Sequence, residues 1–222
     1  MDTQIISLAK RKGGTGASSV TIMLATTLAK YAKKKVLILD TDDQRTIADL
    51  AEIEQAQDLN LLVDVEQVHA AKAQAFLKRW ASDYDIVFID FPRMTNLEND
   101  DKLVMLMYLC DSLLMPIVPS QFAVLSTIRF LDVAFDVVEQ RKQLEFDTKL
   151  HGFLSLSNKR KDTQDARRFF EGKGLSMFDA EIANLKLYTR LSLSRSVMDT
   201  AEGRRRFEPF YNEFLSKFEI NG

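Results

Sequence analysis

A short apolar run, Ile5 to Ala9, leads into three glycines at 13, 14 and 16, and then into an apolar helical pattern from Ser18 to Tyr31. That order constrains the fold more than any other stretch. Glycine lets the backbone turn tightly and aim successive N–H groups at one point. The helix that follows adds the partial positive charge of its N-terminus. Strand, glycine loop and helix together make a phosphate-binding turn, and the flanks separate it from a chance glycine cluster. Taken alone, the stretch could also be an ordinary glycine turn capped by serine.

The rest of the chain repeats the alternation. Val36 to Asp40, Ile86 to Asp90, Ser112 to Val118 and Gly152 to Ser157 read as further strands. Several are apolar at nearly every position, as parallel strands covered by helices on both faces must be. Helical patterns lie between them at Val68 to Trp80, Leu97 to Leu109, Ala123 to Arg141 and Thr163 to Glu171. The expected fold is α/β, a doubly wound, mostly parallel sheet flanked by helices. No Gly/Ser-rich linker or internal repeat interrupts the 222 residues, so residues 1–222 are expected to form a single domain.

Charge and composition exclude several classes. The formal net charge is −2, so no global field draws the chain to nucleic acid or anionic lipid, and such a partner must meet a local patch. Cys110 is the only cysteine and His69 and His151 the only histidines, which rules out a disulfide within the chain and argues against a Cys- or His-rich metal site. No apolar run approaches the about 20 residues of a membrane span, and no signal-peptide pattern stands at the start. The expected location is the cytoplasm.

Carboxylates at strand ends sharpen the phosphate reading. Asp40 and Asp42 close one strand and Asp90 another, at the edge where open α/β sheets bind ligands. Near a triphosphate such groups hold Mg²⁺ through water or position an attacking water, and Ser18 stands where a hydroxyl would ligate the ion. Ser19 can reach the next phosphate. Each Asp alone is an ordinary cap or turn residue; the three beside a glycine loop form a constellation.

The stretch Lys12-Gly13-Gly14-Thr15-Gly16-Ala17-Ser18-Ser19 resembles the deviant P-loop of the ParA/MinD family of ATPases, whose form is KGGxGK[ST][ST]. The resemblance runs over nearly the whole chain and is closest to short ParA-type partition or positioning ATPases. Asp40, Asp42 and Gln44 match the family's DxDxQ segment, with Asp43 where proline is usual. Asp90 and Pro92 match its Walker B strand, Asp111 and Pro116 its D-x-x-x-x-P strand, and Asn158 its adenine-side asparagine. The resemblance implies ATP and Mg²⁺ as cofactors, with residues 12 to 19 and Asn158 around the nucleotide. It gives Lys12, Asp42 and Asp90 catalytic roles: Lys12 across a dimer to the partner's nucleotide, Asp42 on the attacking water, Asp90 on the metal shell. Ser18, Asp40 and Asp90 would serve Mg²⁺.

Ala17 departs from the pattern, since the family carries a lysine there. Losing one charge-assisted contact of roughly 1.5–3 kcal/mol weakens nucleotide binding by about one to two decades, and hydrolysis suffers more than binding. Three accounts fit: an engineered block in a normal ATPase, which the otherwise intact site favours; a natural alanine with charge supplied by Lys12, Lys10 or Arg11; or a pseudo-ATPase scaffold.

The resemblance also implies a homodimer formed with ATP, binding to nonspecific double-stranded DNA, a ParB-like or other small stimulatory adaptor, and association with the nucleoid. Residues 151–222 carry 13 Lys/Arg against 10 Asp/Glu, whereas residues 1–150 carry 17 against 22. The candidate DNA-binding residues are Lys159, Arg160, Lys161, Arg167, Arg168, Arg190, Arg195, Arg204, Arg205 and Arg206, which would read phosphates rather than bases. A MinD-like membrane helix is the alternative. The terminal stripe of Phe207, Phe210, Tyr211, Phe214, Leu215 and Phe218 has helical spacing, but Glu208, Glu213 and Glu219 would repel anionic lipid, and core packing is the expected role. The first strand begins by Ile5, which predicts the short kind of partition protein without its own specific DNA-reading domain. A related protein of amide synthesis or metallocentre assembly is disfavoured by the lone cysteine. Trp80 is expected to be partly buried, Met105, Met107 and Met115 to pack in the core, and Cys110 to be an inert thiol.

Overall fold

Val36–Asp40 and Ile86–Asp90 are buried at all five positions, as strands covered on both faces must be. Their side chains alternate between two apolar layers. Ile38 and Phe88 face one, and Leu37, Leu39, Val87 and Ile89 face the other. The computed structural model describes residues 3–10, 14–92, 100–157, 160–183 and 191–221.

Among these residues eight strands form one sheet: β1 (Gln4–Ser7), β2 (Val36–Asp40), β3 (Asp64–Gln67), β4 (Ile86–Asp90), β5 (Ser112–Ile117), β6 (Lys149–Ser157), β7 (Ser176–Met177) and β8 (Ile182–Ala183). Their order is β3-β2-β4-β1-β5-β6-β7, with β8 also paired to β6. Every pairing is parallel, including β1 to β4, β1 to β5 and β2 to β4. Seven helices connect them: α1 (Ala17–Tyr31), α2 (Thr46–Gln55), α3 (Ala73–Trp80), α4 (Asp100–Tyr108), α5 (Gln121–Gln143), α6 (Arg160–Gly172) and α7 (Ala201–Lys217). The first layer packs α1, α2 and α7 onto the sheet, and the second packs α3, α4, α5 and α6 onto its other face. The doubly wound parallel architecture is therefore observed.

The stripe on α7 is core. Phe207, Phe210 and Phe214 are fully buried, and Phe214 stacks on Phe88 of the central strand β4 at 6.2 Å. Pro209 lies inside α7, and Thr200 caps the helix by accepting from the Gly203 amide at 3.0 Å. Gly203 itself is forced, because a Cβ there would lie 1.8 Å from the Val197 carbonyl oxygen.

Two expectations need correction, and one helix was not anticipated. The pattern from Val68 to Trp80 divides into an extended approach, a short 3₁₀ turn at Ala70–Lys72 and α3, and the strand β3 precedes it. Trp80 is 41% exposed, with the Arg79 guanidinium 4.8 Å from its ring, because it falls on the outer face of the last turn of α3. Helix α2 was not apparent in the sequence, since only Ile47, Ala48 and Ala51 of its apolar residues are buried and its start has no local side-chain cap. Met107 and Met115 are buried, and Cys110 is a buried thiol, pushed up by burial and bonded to the Leu106 carbonyl at 3.3 Å.

Candidate nucleotide site

The strand order sets the location. β1 and β4 are neighbours whose connections run to opposite sides, from β1 to β2 and from β4 to β5, which opens a crevice at their carboxyl ends. β2 and β4 end beside it in register, with Asp40 opposite Asp90.

The loop from β1 to α1 fills this edge. Gly14 and Gly16 hold φ of 78° and 82°, in the left-handed region that side chains resist. Gly16 is the N-cap of α1 and supplies no side-chain cap to the first turn. The orphan amides of that turn are therefore left without a side-chain acceptor. Thr15 Oγ1 is buried with no hydrogen-bond partner. The loop is tied down from the far side of the switch point, where Ser155 of β6 donates its hydroxyl to the Thr15 carbonyl at 2.7 Å. Free amides, an orphaned hydroxyl and a helix N-terminus fit a phosphate chain.

Asp90 sits at the floor and is 1% exposed. Its carboxylate accepts from the Lys10 ammonium at 3.0 and 3.1 Å and from the Ser18 hydroxyl at 2.9 Å. Lys10, itself 4% exposed, also donates to Ser18 Oγ at 2.7 Å. Burial pushes the Asp90 carboxyl above its ordinary value, and the Lys10 charge and the Ser18 hydroxyl pull the other way. Asp42, buried and close enough to raise Asp90 further, accepts from the Gln44 amide at 3.0 Å.

Asp40 is differently engaged. One oxygen accepts from the Asp42 amide at 3.1 Å, and the other from Ile47 and Ala48 at 3.0 and 3.1 Å. Through these amides it holds the turn and the start of α2. Among the described residues no group of three or more His, Cys, Asp or Glu could hold a metal ion. With an ammonium between Ser18 and Asp90, this arrangement does not fit Mg²⁺.

Lys12, Gly13, Asn158, Lys159 and Arg190 lie outside the described residues. Arg160 and Lys161 stand on the first turn of α6. Ala17 is 2% exposed and packs in the first apolar layer, not in the loop mouth.

The basic clusters divide. Arg167 is turned inward, donating to the carbonyls of Phe178 and Asp179 and pairing with Glu171, Asp179 and Glu181, so it is poorly free for phosphate. Arg168, Arg195, Arg204, Arg205 and Arg206 are exposed. Arg204 lies over the Tyr31 ring at 5.5 Å, at the end of α1 remote from the loop. Ser155 was not singled out in the sequence; a lone serine in an apolar strand gives no signal until the loop is seen against it.

Comparison with known proteins bears on the fold. A family model described as an AAA domain matches residues 3–78. Among curated proteins, no sequence matches the chain. An ATP complex of McdA from Cyanothece superposes with a TM-score of 0.74 at 18% identity, covering 99% of this chain and 98% of that one. A plasmid partition protein from Borrelia burgdorferi B31, bound to AMPPNP, gives 0.65 at 19%, covering 98% and 100%. Cobyrinic acid a,c-diamide synthase from Mycobacterium smegmatis, with ADP and magnesium, gives 0.67 at 16%, covering 98% and 96%. Such identities carry fold and not chemistry.

Proposed function

For a chain with the fold of the ParA/MinD ATPases over nearly its whole length, we propose that residues 1–222 act as one ATP-binding domain of ParA type. ATP at the loop would pair two copies, and the dimer would present the C-terminal arginines to nonspecific double-stranded DNA. A small adaptor would then govern the positioning of a cargo. The observation that carries this reading is the loop: an uncapped first turn of α1, two glycines at positive φ, and the orphaned Thr15 hydroxyl.

Gly14 to Ser19 would hold the phosphates through their backbone, with Gly13 and Lys12 completing the cradle. Asp42 is the group to orient a water, being buried at a strand end beside Asp90. Since Ala17 offers no ammonium, hydrolysis is expected to be slow, and binding rather than turnover is the output to measure. Exposed Arg195 and Arg204 to Arg206 support the DNA surface, because one weak phosphate patch becomes effective when a dimer doubles it. A MinD-like membrane helix is disfavoured, because the aromatic face of α7 is already buried against the sheet. Holding ATP without turning it over, as a pseudo-ATPase scaffold would, is the second reading; the alanine at 17 favours it.

The test is retention on duplex DNA with and without ATP, run on this chain and on Ala17→Lys across a salt series. Retention that grows with ATP and falls with salt supports the proposal. If neither form binds DNA under any nucleotide, the arginines are only a solvated face and the DNA surface is refuted.

A further inference from the structure

A lysine that is 4% exposed needs a reason, because buried ammonium groups persist only when paired. Lys10 is three-fold coordinated: Ser18 Oγ at 2.7 Å and the two Asp90 oxygens at 3.0 and 3.1 Å. An ammonium has three N–H donors, and these contacts account for all of them. Ser18 and Asp90 are also the two groups on which the expected divalent ion would depend. The third expected group, Asp40, has its oxygens held by three backbone amides. The chain's own cation thus occupies the seat between hydroxyl and carboxylate.

The loop lacks its cation at the start of α1 and gains one at the end of β1. Ala17 directs only a methyl group into the first apolar layer, while Lys10 brings a positive charge to Ser18, the next residue of the first turn of α1. Without Lys10, the buried Asp90 carboxylate would meet an incoming polyphosphate with the Ser18 hydroxyl as its remaining described side-chain contact.

We propose that Lys10 is a built-in counter-cation that stands in for the divalent ion at Ser18 and Asp90, so that this site holds a nucleoside triphosphate without Mg²⁺. The proposal rests on the nucleotide-site reading. Lys10 is here a positioning residue: it neutralises Asp90 and fixes the Ser18 hydroxyl, which keeps the first turn of α1 open to phosphate.

The experiment is calorimetric titration of ATP into the unmodified chain in Mg²⁺ and in EDTA, then the same pair on Lys10→Gln, whose amide keeps donors toward Asp90 without the charge. Thermal melting of the variant checks that it is folded. The expected result is equal affinity within about twofold for the parent in both buffers, and a loss of about tenfold or more for Lys10→Gln in EDTA that Mg²⁺ restores in part. A parent that requires Mg²⁺ overturns the proposal without any variant. A folded Lys10→Gln that binds ATP as the parent does, in both buffers, overturns it as well. Both leave the nucleotide site standing. If the parent binds no ATP in either buffer, the nucleotide-site reading falls and this inference falls with it.

Discussion

Replacing Asp40 with asparagine separates a structural carboxylate from a metal-serving one. The side chain is completely buried, and its volume is almost unchanged by the substitution, so no cavity term enters. Its two oxygens accept three backbone amides, at 3.0 to 3.1 Å. An asparagine has one acceptor and one donor end. Whichever way it turns, its NH₂ group faces at least one of those N–H groups. The smallest loss is the single bond from Asp42, with the oxygen kept on Ile47 and Ala48. Hydrogen bonds to a charged acceptor contribute about 1.5–3 kcal/mol, and a buried donor left unsatisfied adds to that, so the expected destabilisation is about 2–4 kcal/mol. For a chain of this size each kcal/mol shifts Tm by about 2–4 °C, which gives a drop of roughly 5–15 °C. Differential scanning calorimetry without added metal or nucleotide is the assay. An Asp40→Asn protein that melts within about 2 °C of the parent would refute the capping role.

Two further perturbations test the packing around α7. Gly203→Ala must displace the Val197 carbonyl, which a Cβ would approach to 1.8 Å, and disturb the Thr200 cap; a loss of about 2–4 kcal/mol in urea denaturation is expected, and a neutral outcome would mean the turn before α7 adapts freely. His151, packed on the edges of Phe178 and Phe218, is lowered to about 4 by burial and then by Lys217 and Lys149, below its ordinary 6.5. The native state therefore keeps it neutral while the unfolded chain takes a proton, so stability is whole above pH 6.5 and falls between there and pH 4. Half-exposure of the ring limits the effect to about 1–2 kcal/mol. Denaturation curves of the parent and His151→Gln should converge as the pH falls through that window, and parallel curves would remove His151 as the cause.

The sheet was legible where apolar runs were unbroken. β2 and β4 coincide with the expected segments, and α1 begins one residue early, because buried strands and a glycine-led helix leave strong patterns. β3 was not legible. Its residues Asp64, Glu66 and Gln67 are exposed on an edge, where no burial forces an apolar pattern. Helix α2 escaped for a related reason: Ile47, Ala48 and Ala51 bury only a narrow stripe, and its start depends on Asp40 rather than on a local cap. The site was legible as a set of residue types, with Ser18, Asp42 and Asp90 converging at one strand edge. The partners of Asp40 and Lys10 were not, since contacts between residues 10 and 90, or 40 and 48, depend on register and chain reversal and leave no periodic trace.

The ends of the sheet carry a consequence for self-association. Among the described residues the outer strands are β3 on one side, bearing two exposed carboxylates, and β7 and β8 on the other, each only two residues long. A copy aligning its own β3 against the first would set four carboxylates along one seam, and the second rim is too short to nucleate a ladder. Lateral growth into a ribbon of chains is thereby discouraged from both sides. Among the described residues, faces and loops remain the surfaces on which two copies can meet, while backbone polymerisation is disfavoured.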